Sequence, residues 1–433
     1  MVKRTANVHV QSDENEIVRN ILPAMGVLRA KGNESLTIGV NSRSSTLKGP
    51  ERDVQKTTKR IAMIGHKYIP SRDGGVEVVV SNLAPHLQES EYDVTCYNRT
   101  NKEFRQRRKD KPLPKEYRGV RLIWTPTVDR RGLAAISSSI IATIMAAFNR
   151  FDLVHFHAEG PCVLCWLPRL FGKKVVVTIH GLDHQREKWG KLASAYILRG
   201  EKSAVCYAHK IIVLSEGMKT YFREKYGRET VLIPNGIDPV ENKTADEITK
   251  KFGLAFQEYI LFVGRLDPGK GIRYLLEAYQ KLKTDKKLVI VGGSSDTDDY
   301  VKQLHEMTVD KPSVIFTGFQ QGQILEELYS NAYLYVLPSD HEGMPLTLLE
   351  AMNYGCCCVT SDIAECSDVL NGSGVTFPCG NSDALREVLQ DLCDHPEKTE
   401  ALRSEARKEV SSKYTWEEIT AQTHKLYSEL LAR

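Results

Sequence analysis

The chain has 433 residues, 41% of them hydrophobic and 26% charged, with a formal net charge of +4. That is enough chain for two domains of ordinary size with a sizeable core. So small an excess of positive charge gives no ground for a nucleic-acid-binding protein. The ten cysteines lie on apolar segments, which fits a reducing compartment better than a disulfide scaffold. Cys162-Val-Leu-Cys165 has CxxC spacing but no second pair, so no metal site is expected there. The segment beginning Met1-Val-Lys-Arg-Thr lacks the apolar core of a signal peptide, and the expected location is cytoplasmic.

Residues 1–58 are read as a flexible N-terminal extension, because Asn41 to Lys59 is polar and without hydrophobic period. From 59 to 236 the pattern is that of a first α/β domain. Ile61-Ala-Met-Ile64 reads as a short strand, and Gly65-His-Lys-Tyr-Ile-Pro-Ser-Arg-Asp-Gly-Gly-Val-Glu77 leads from it into a helix. Gly74 and Gly75 let backbone approach a ligand where the helix start favours an anion. The pattern is neither GxGxxG nor a Walker loop. Between Arg99 and Arg131 there are twelve basic residues against four acidic ones. That stretch is either a solvated face or a contact with an anionic membrane surface or charged acceptor. Leu133–Phe148 is apolar but short for a membrane span, and is read as a buried helix. After the strand Lys174–Ile179 comes His180, a polar side chain at the carboxyl end of a strand, where substrates meet such sheets.

A second series of continuous apolar strands, alternating with amphipathic helices, fills 237–412. Such strands imply a parallel sheet covered on both faces. Two series joined near Pro234-Asn-Gly-Ile-Asp238 imply two Rossmann-like domains, and residues 413–433 form a last helix able to cross back onto the first. In Val263-Gly-Arg-Leu-Asp-Pro-Gly-Lys-Gly271, Arg265 and Lys270 share a glycine-rich loop and are placed to neutralise a diphosphate. Asp296-Thr-Asp298 has DxD spacing, but just ahead of a helix such residues act as caps, and no metal is expected. The most informative stretch is Ser339-Asp-His-Glu-Gly-Met-Pro-Leu-Thr-Leu-Leu-Glu350. It follows the buried strand Ala332–Pro338 and turns helical at Pro345, read as the first helical position. Glu342 then lies in the loop and Glu350 on the helix, with an electropositive helix start between them. A phosphate carrying hydroxyl-rich groups at both ends, as in a nucleotide-sugar, suits such a site. Thr347 and Glu350 share one helix face and are assigned to the ligand, while Leu346 and Leu349 share another, assigned to packing.

From about Arg60 to the C-terminus these motifs resemble the glycosyltransferase family 4 of retaining enzymes with the GT-B fold, in which two Rossmann-like domains face each other across a cleft. The match rests on Gly74-Gly75-Val-Glu77, His180-Gly181, Pro234–Asp238, Gly264-Arg265 with Lys270-Gly271, and Glu342 through Glu350. The resemblance implies that Gly75 approaches the donor phosphate, Arg265 and Lys270 hold the diphosphate, and Glu342 contacts the sugar beside Gly343, Met344, Pro345 and Leu346. Thr347 would lie near the phosphate and Glu350 would bind the ribose, while His180 would help stabilise the transition state. It also implies retention of anomeric configuration without a bound metal or other cofactor. The segment Gly181-Leu-Asp-His-Gln-Arg-Glu-Lys-Trp189, with Tyr97-Asn-Arg99, looks like bacterial transferases that build capsule or exopolysaccharide units, including rhamnosyltransferases. Cys357 departs from the family pattern, where a proline is common.

The expected reaction is transfer of a sugar from a nucleoside-diphosphate sugar to a saccharide or lipid-linked acceptor, with the protein cytoplasmic or peripheral on the inner face of a membrane. Two alternatives stay open: another GT-B reaction, such as that of a sugar-nucleotide epimerase or a phosphorylase, and a non-catalytic GT-B scaffold. Donor base, donor sugar, acceptor and linkage are not legible.

Overall fold

The computed structural model describes residues 58–100, 112–128, 130, 133–185, 190–294 and 297–432. Residues 1–57 of the expected extension, residues 101–111, 129 and 131 of the basic 99–131 stretch, residues 186–189 of the capsule-like motif and Asp296 of the DxD pattern lie outside the described residues.

The first lobe is a sheet of β1 (Lys59–Ile64), β2 (Tyr92–Arg99), β3 (Glu116–Tyr117), β4 (Val120–Thr125), β5 (Leu153–His157), β6 (Lys174–Ile179), β7 (Lys210–Val213) and β8 (Val231–Leu232). Their spatial order is β3-β4-β2-β1-β5-β6-β7-β8. Every pairing is parallel except the antiparallel hairpin of β3 and β4. The second lobe holds β9 (Tyr259–Val263), β10 (Lys287–Val291), β11 (Val314–Gly318), β12 (Leu334–Leu337), β13 (Cys357–Ser361) and β14 (Val375–Phe377). Here the order is β11-β10-β9-β12-β13-β14, parallel throughout. This is the doubly wound order in which chain direction across the sheet reverses between the first and fourth strands, here β9 and β12. Both strands are buried at every position, as unbroken Val, Ile, Leu and aromatic runs dictate when helices cover both faces. Cys356, Cys357 and Cys358 are fully buried at the start of β13 and act as small apolar core residues. None of the ten cysteines is in a disulfide.

The chain crosses between lobes twice, and the crossings lie side by side. Ile237 N–H donates to the Tyr414 carbonyl at 2.7 Å, and Ile237 bridges Thr415. After the second crossing the helix Trp416–Leu431 packs on the first lobe. Trp416, Ile419, Leu426, Tyr427 and Leu430 join the core formed by Ile61, Met63, Val79 and Leu83. Its anchor is polar. Tyr427 Oη lies 2.6 Å from His155 Nδ1, whose Nε2 is 2.7 Å from Thr178 Oγ1.

Leu133–Phe148 is a helix, as expected, but it is not buried all round. Ala142, Thr143, Ala146 and Ala147 pack inward, whereas Leu133, Ile140, Ile144 and Phe148 are exposed. Small residues let one face sit close to the sheet, and the large ones are left on the opposite face.

Tyr427→Phe removes a partner from a fully buried imidazole. Such an unsatisfied group costs about 1–3 kcal/mol, so urea melts should show that loss of stability with an unchanged slope.

Candidate active site

Ligands of doubly wound sheets sit beyond the carboxyl ends of the strands at the reversal point. In the second lobe those ends carry the Gly264–Gly271 and Pro338–Pro345 loops. The two loops are tied together: Asp340 N–H donates to the Gly269 carbonyl at 3.0 Å. Gly271 has φ +63°, and a Cβ there would lie 1.9 Å from the Pro338 carbonyl oxygen, so a larger residue would force the loops apart. Held this way, Lys270 Nζ lies 2.5 Å from Glu342 Oε1, and Ser339 Oγ donates to the same oxygen at 2.7 Å. The Glu342 side chain is 7% exposed. The expected sugar contact and the expected phosphate ligand are thus paired with each other. Arg265, from the same loop, is the less engaged cation, with its nearest carboxylate, Asp267, at 3.8 Å.

The helix after this loop spans Leu346–Asn353. Pro345 is its N-cap, with φ −75° and an extended ψ of 105°. It is therefore not the first helical residue, because the proline ring fixes φ and leaves ψ to the loop. Leu348 and Leu349 N–H donate to the Pro345 carbonyl, and the amides of Leu346 and Thr347 precede these first helical bonds. Thr347 and Glu350 share a face as expected, and each is fixed from beneath. Tyr335 Oη donates to Thr347 Oγ1 at 2.9 Å, and Tyr329 Oη donates to Glu350 Oε2 at 3.0 Å. Leu349 is buried, but its buried partner is Leu348, while Leu346 is half-exposed. The reason is that Leu346 faces the other lobe.

That lobe supplies the helix Gly75–Glu89, with Gly74 as its N-cap. Glu77 folds back to accept the Lys67 N–H at 2.7 Å, which ties the helix start to the loop after β1. A Cβ at Gly75 would lie 3.7 Å from Leu346 Cδ1. Two helix starts, one from each lobe, therefore meet with their electropositive ends. Nearby, Arg72 pairs with Glu350 across the cleft. Arg72, Tyr329 and Tyr335 are not legible in the sequence, since an arginine in a glycine-rich loop and tyrosines in core elements give no local signal.

Gly343 sits directly on the His180 main chain. A Cβ there would be 1.8 Å from the His180 carbonyl oxygen, so no other residue fits this closed approach. Met344 does not line open space: it is buried, and its Sδ and carbonyl accept the Asn235 N–H and Nδ2 at 3.1 and 3.3 Å.

His180 belongs to a row of histidines. Its Nε2 lies 3.0 Å from His157 Nδ1, and the His157 and His155 ring centroids are 4.2 Å apart. His66, at the end of β1, bonds Asn98 Oδ1 at 3.0 Å. Burial pushes His180 and His66 down to about 4 and His155 to about 3, and holds His157 well below the ordinary range. At neutral pH His180 is therefore an uncharged imidazole. The clue was in the sequence, where His155 and His157 end the otherwise apolar strand Leu-Val-His-Phe-His, but neither was singled out.

These depressed values fix the sign of a pH effect. The unfolded chain binds protons on these rings below their ordinary value of 6.5, whereas the folded chain resists until about 4. Stability from the row is complete above the first value and is lost as pH falls towards the second. Each ring contributes a slope of up to about 1.4 kcal/mol per pH unit. Denaturant midpoints measured across that window should fall steadily with acid, and a flat profile would contradict the neutral row.

The model for "Glycosyltransferase Family 4" matches residues 73–241, and that for "Glycosyl transferases group 1" matches residues 245–409. The chain is 32% identical over 186 residues to the O-antigen chain mannosyltransferase B of Escherichia coli, covering 42% of this chain and 48% of that one. It is 25% identical over 404 residues to the alpha-maltose-1-phosphate synthase of Mycolicibacterium smegmatis, covering 86% of this chain and all (100%) of the other. The crystal structure of Anabaena HepE in complex with UDP-glucose superposes with a TM-score of 0.71 at 19% identity, covering 86% of this chain and 99% of that one. The chain spans only 53% and 48% of the curated relatives it matches above 30% identity. With both lobes matched in sequence and the two-sheet architecture matched in space, the chain belongs to glycosyltransferase family 4 and has the GT-B fold.

Proposed function

We propose that the protein is a retaining glycosyltransferase that moves a sugar from a nucleoside-diphosphate sugar to a saccharide or lipid-linked acceptor, with no metal ion at the diphosphate. The observation that carries this reading is the meeting of two helix starts at Gly75 and Leu346, beside Arg265 and the Lys270–Glu342 pair. Amide groups and cations converge there on one place suited to a diphosphate. In the reaction the bond between the anomeric carbon and the phosphate oxygen breaks, with its electron pair leaving on the diphosphate. The acceptor oxygen bonds to that carbon, and its proton passes to the departing phosphate. Arg265, Lys270 and the Leu346–Asn353 helix start stabilise the leaving charge. Glu342 orients Lys270 and faces the sugar, and Glu350 exchanges its exposed Arg72 partner for the ribose hydroxyls. That exchange is cheap because such half-exposed pairs contribute little. The HepE complex supports a UDP-linked donor, and the Escherichia coli mannosyltransferase supports a role in bacterial cell-surface polysaccharide, capsule or exopolysaccharide included.

A thermal-shift screen of UDP-, GDP- and dTDP-sugars should find one stabilising class, with the shift unchanged by added Mg2+. Lys270→Ala and Glu342→Ala should each lower turnover by about 100-fold or more, the scale of losing a preorganised charge contact, while circular dichroism stays native. Near-normal transfer by either variant would sink the assignment. Product formed without acceptor would indicate an epimerase instead.

Peripheral membrane contact is part of this reading for a lipid-linked acceptor. Leu133, Ile140, Ile144 and Phe148 (58% exposed) form one stripe, continued by Leu170 (70% exposed) and Phe171, whose ring centroid lies 4.6 Å from that of Phe148. Exposed Arg130 and Arg150 flank it, so apolar insertion and attraction to anionic headgroups act together. No described helix is long and apolar enough to cross a membrane. The full chain should co-sediment with phosphatidylglycerol vesicles and not with phosphatidylcholine ones, and Phe148→Glu should weaken that binding while leaving the donor shift intact.

A further inference from the structure

Glu159, His184 and Glu201 converge from three elements. Each offers a ligand atom, and the three atoms lie within 4.8 Å of one another. Glu159 follows β5, His184 lies in the turn after His180, and Glu201 is on the helix Lys191–Tyr207. That helix comes close because Gly200 packs on the Glu159 carbonyl.

Both glutamates are fully buried (0% exposed). One oxygen of each is held. Glu159 Oε2 accepts the Asp183 N–H at 2.9 Å, and Glu201 Oε1 accepts Tyr221 Oη at 2.9 Å, Lys225 Nζ at 3.1 Å and the Tyr226 hydroxyl. The other oxygens, Glu159 Oε1 and Glu201 Oε2, are buried without a hydrogen-bond partner, as is His184 Nδ1. His184 Nδ1 lies 3.5 Å from Glu159 Oε1 and 3.2 Å from Glu201 Oε2.

Tyr221 gives its hydroxyl hydrogen to Glu201 at 2.9 Å, so its oxygen can accept from His184 Nε2 across their 3.4 Å contact. With Nε2 protonated, Nδ1 turns a lone pair towards the two carboxylate oxygens and is able to bind a cation. Three electron-rich atoms facing one another in a buried place repel unless a proton or a metal cation stands between them. Lys225 pairs with Glu201, and a bound cation would take the place of a proton shared by the two carboxyls. Partners that fix the far atoms of each side chain are the outer ring that metal ligands require.

We propose that Glu159, His184 and Glu201 bind a divalent transition-metal ion. Imidazole and carboxylate together suit zinc, manganese or ferrous iron. The ion is structural: it ties the turn after His180 to the Lys191–Tyr207 helix and takes no part at the diphosphate, so this site stands whether or not the proposed transfer reaction is correct.

The test is metal content and melting of the full, untagged chain. Wild type freed of metal by chelation should take up about one Zn2+ or Mn2+ per chain and melt at least about 3 °C higher with the ion bound, since binding to the folded state alone is folding stability. Glu201→Gln keeps the bonds to Tyr221 and Tyr226 but removes the anionic ligand, and it should abolish uptake. His184→Asn, at a site 14% exposed, tests the same point away from the buried pair. A wild type that binds neither ion, with Glu201→Gln as stable as the parent, would overturn the proposal in favour of two glutamates sharing a proton. Equal uptake by wild type and both variants would overturn it as well.

Discussion

Two helix starts pointing at one another impose the main constraint on this molecule. Like partial charges meet where Gly75 faces Leu346, and that meeting is unfavourable unless negative charge lies near it. The chain places three carboxylates there, and each has its own partner. Glu77 takes the Lys67 N–H, Glu342 takes Lys270 and Ser339, and Glu350 takes Arg72 and Tyr329. Because these acids are already compensated, the amides and Arg265 keep their attraction for an outside anion. The field is built before the ligand arrives, which is the condition for electrostatic preorganisation.

The same constraint explains the double crossing. On the proposed reading the two lobes close on an anion, which needs a hinge that allows approach but fixes its direction. Adjacent crossings at Ile237 and Tyr414–Thr415, joined by main-chain bonds, are placed to act as such an axis. The bare main chain of Gly343 against His180 is the stop at which the lobes meet. A Cβ there would fall 1.8 Å from the His180 carbonyl oxygen, so any side chain would force the two main chains apart.

What could be read in the sequence follows the range of the forces involved. Unbroken apolar strands announced both parallel sheets, and strand-end loops announced Lys270, His180 and the Glu342–Glu350 segment, because these signals are local. The Lys270–Glu342 pairing was not legible, since it depends on two loops brought together by sheet order. Nor was Arg72 legible as the partner of Glu350, a contact between lobes. Pro345 was misplaced by one position because its ring dictates φ alone. The Leu133–Phe148 helix was read as buried because composition reports how apolar a helix is, and not which of its faces is covered. Glu159, His184 and Glu201 come from three separate elements, so no spacing could have joined them.

On the proposed reading the lobes divide the chemistry by charge. The second lobe would bring Arg265, Lys270 and a helix start to the group that becomes negative. The first brings His180, which burial keeps neutral and which is pinned by His157 at its ring and by Gly343 at its carbonyl. On the proposed reading that neutrality matters at the transferred sugar. Departure of the diphosphate leaves partial positive charge on the anomeric centre, as in other oxocarbenium-like glycosyl reactions. An imidazolium beside it would oppose that charge. An uncharged ring does not, and it still exchanges a hydrogen bond with a sugar hydroxyl. Burial of the histidine row is thus what makes His180 compatible with a cationic centre, while the cations that favour departure stay on the other side of the breaking bond.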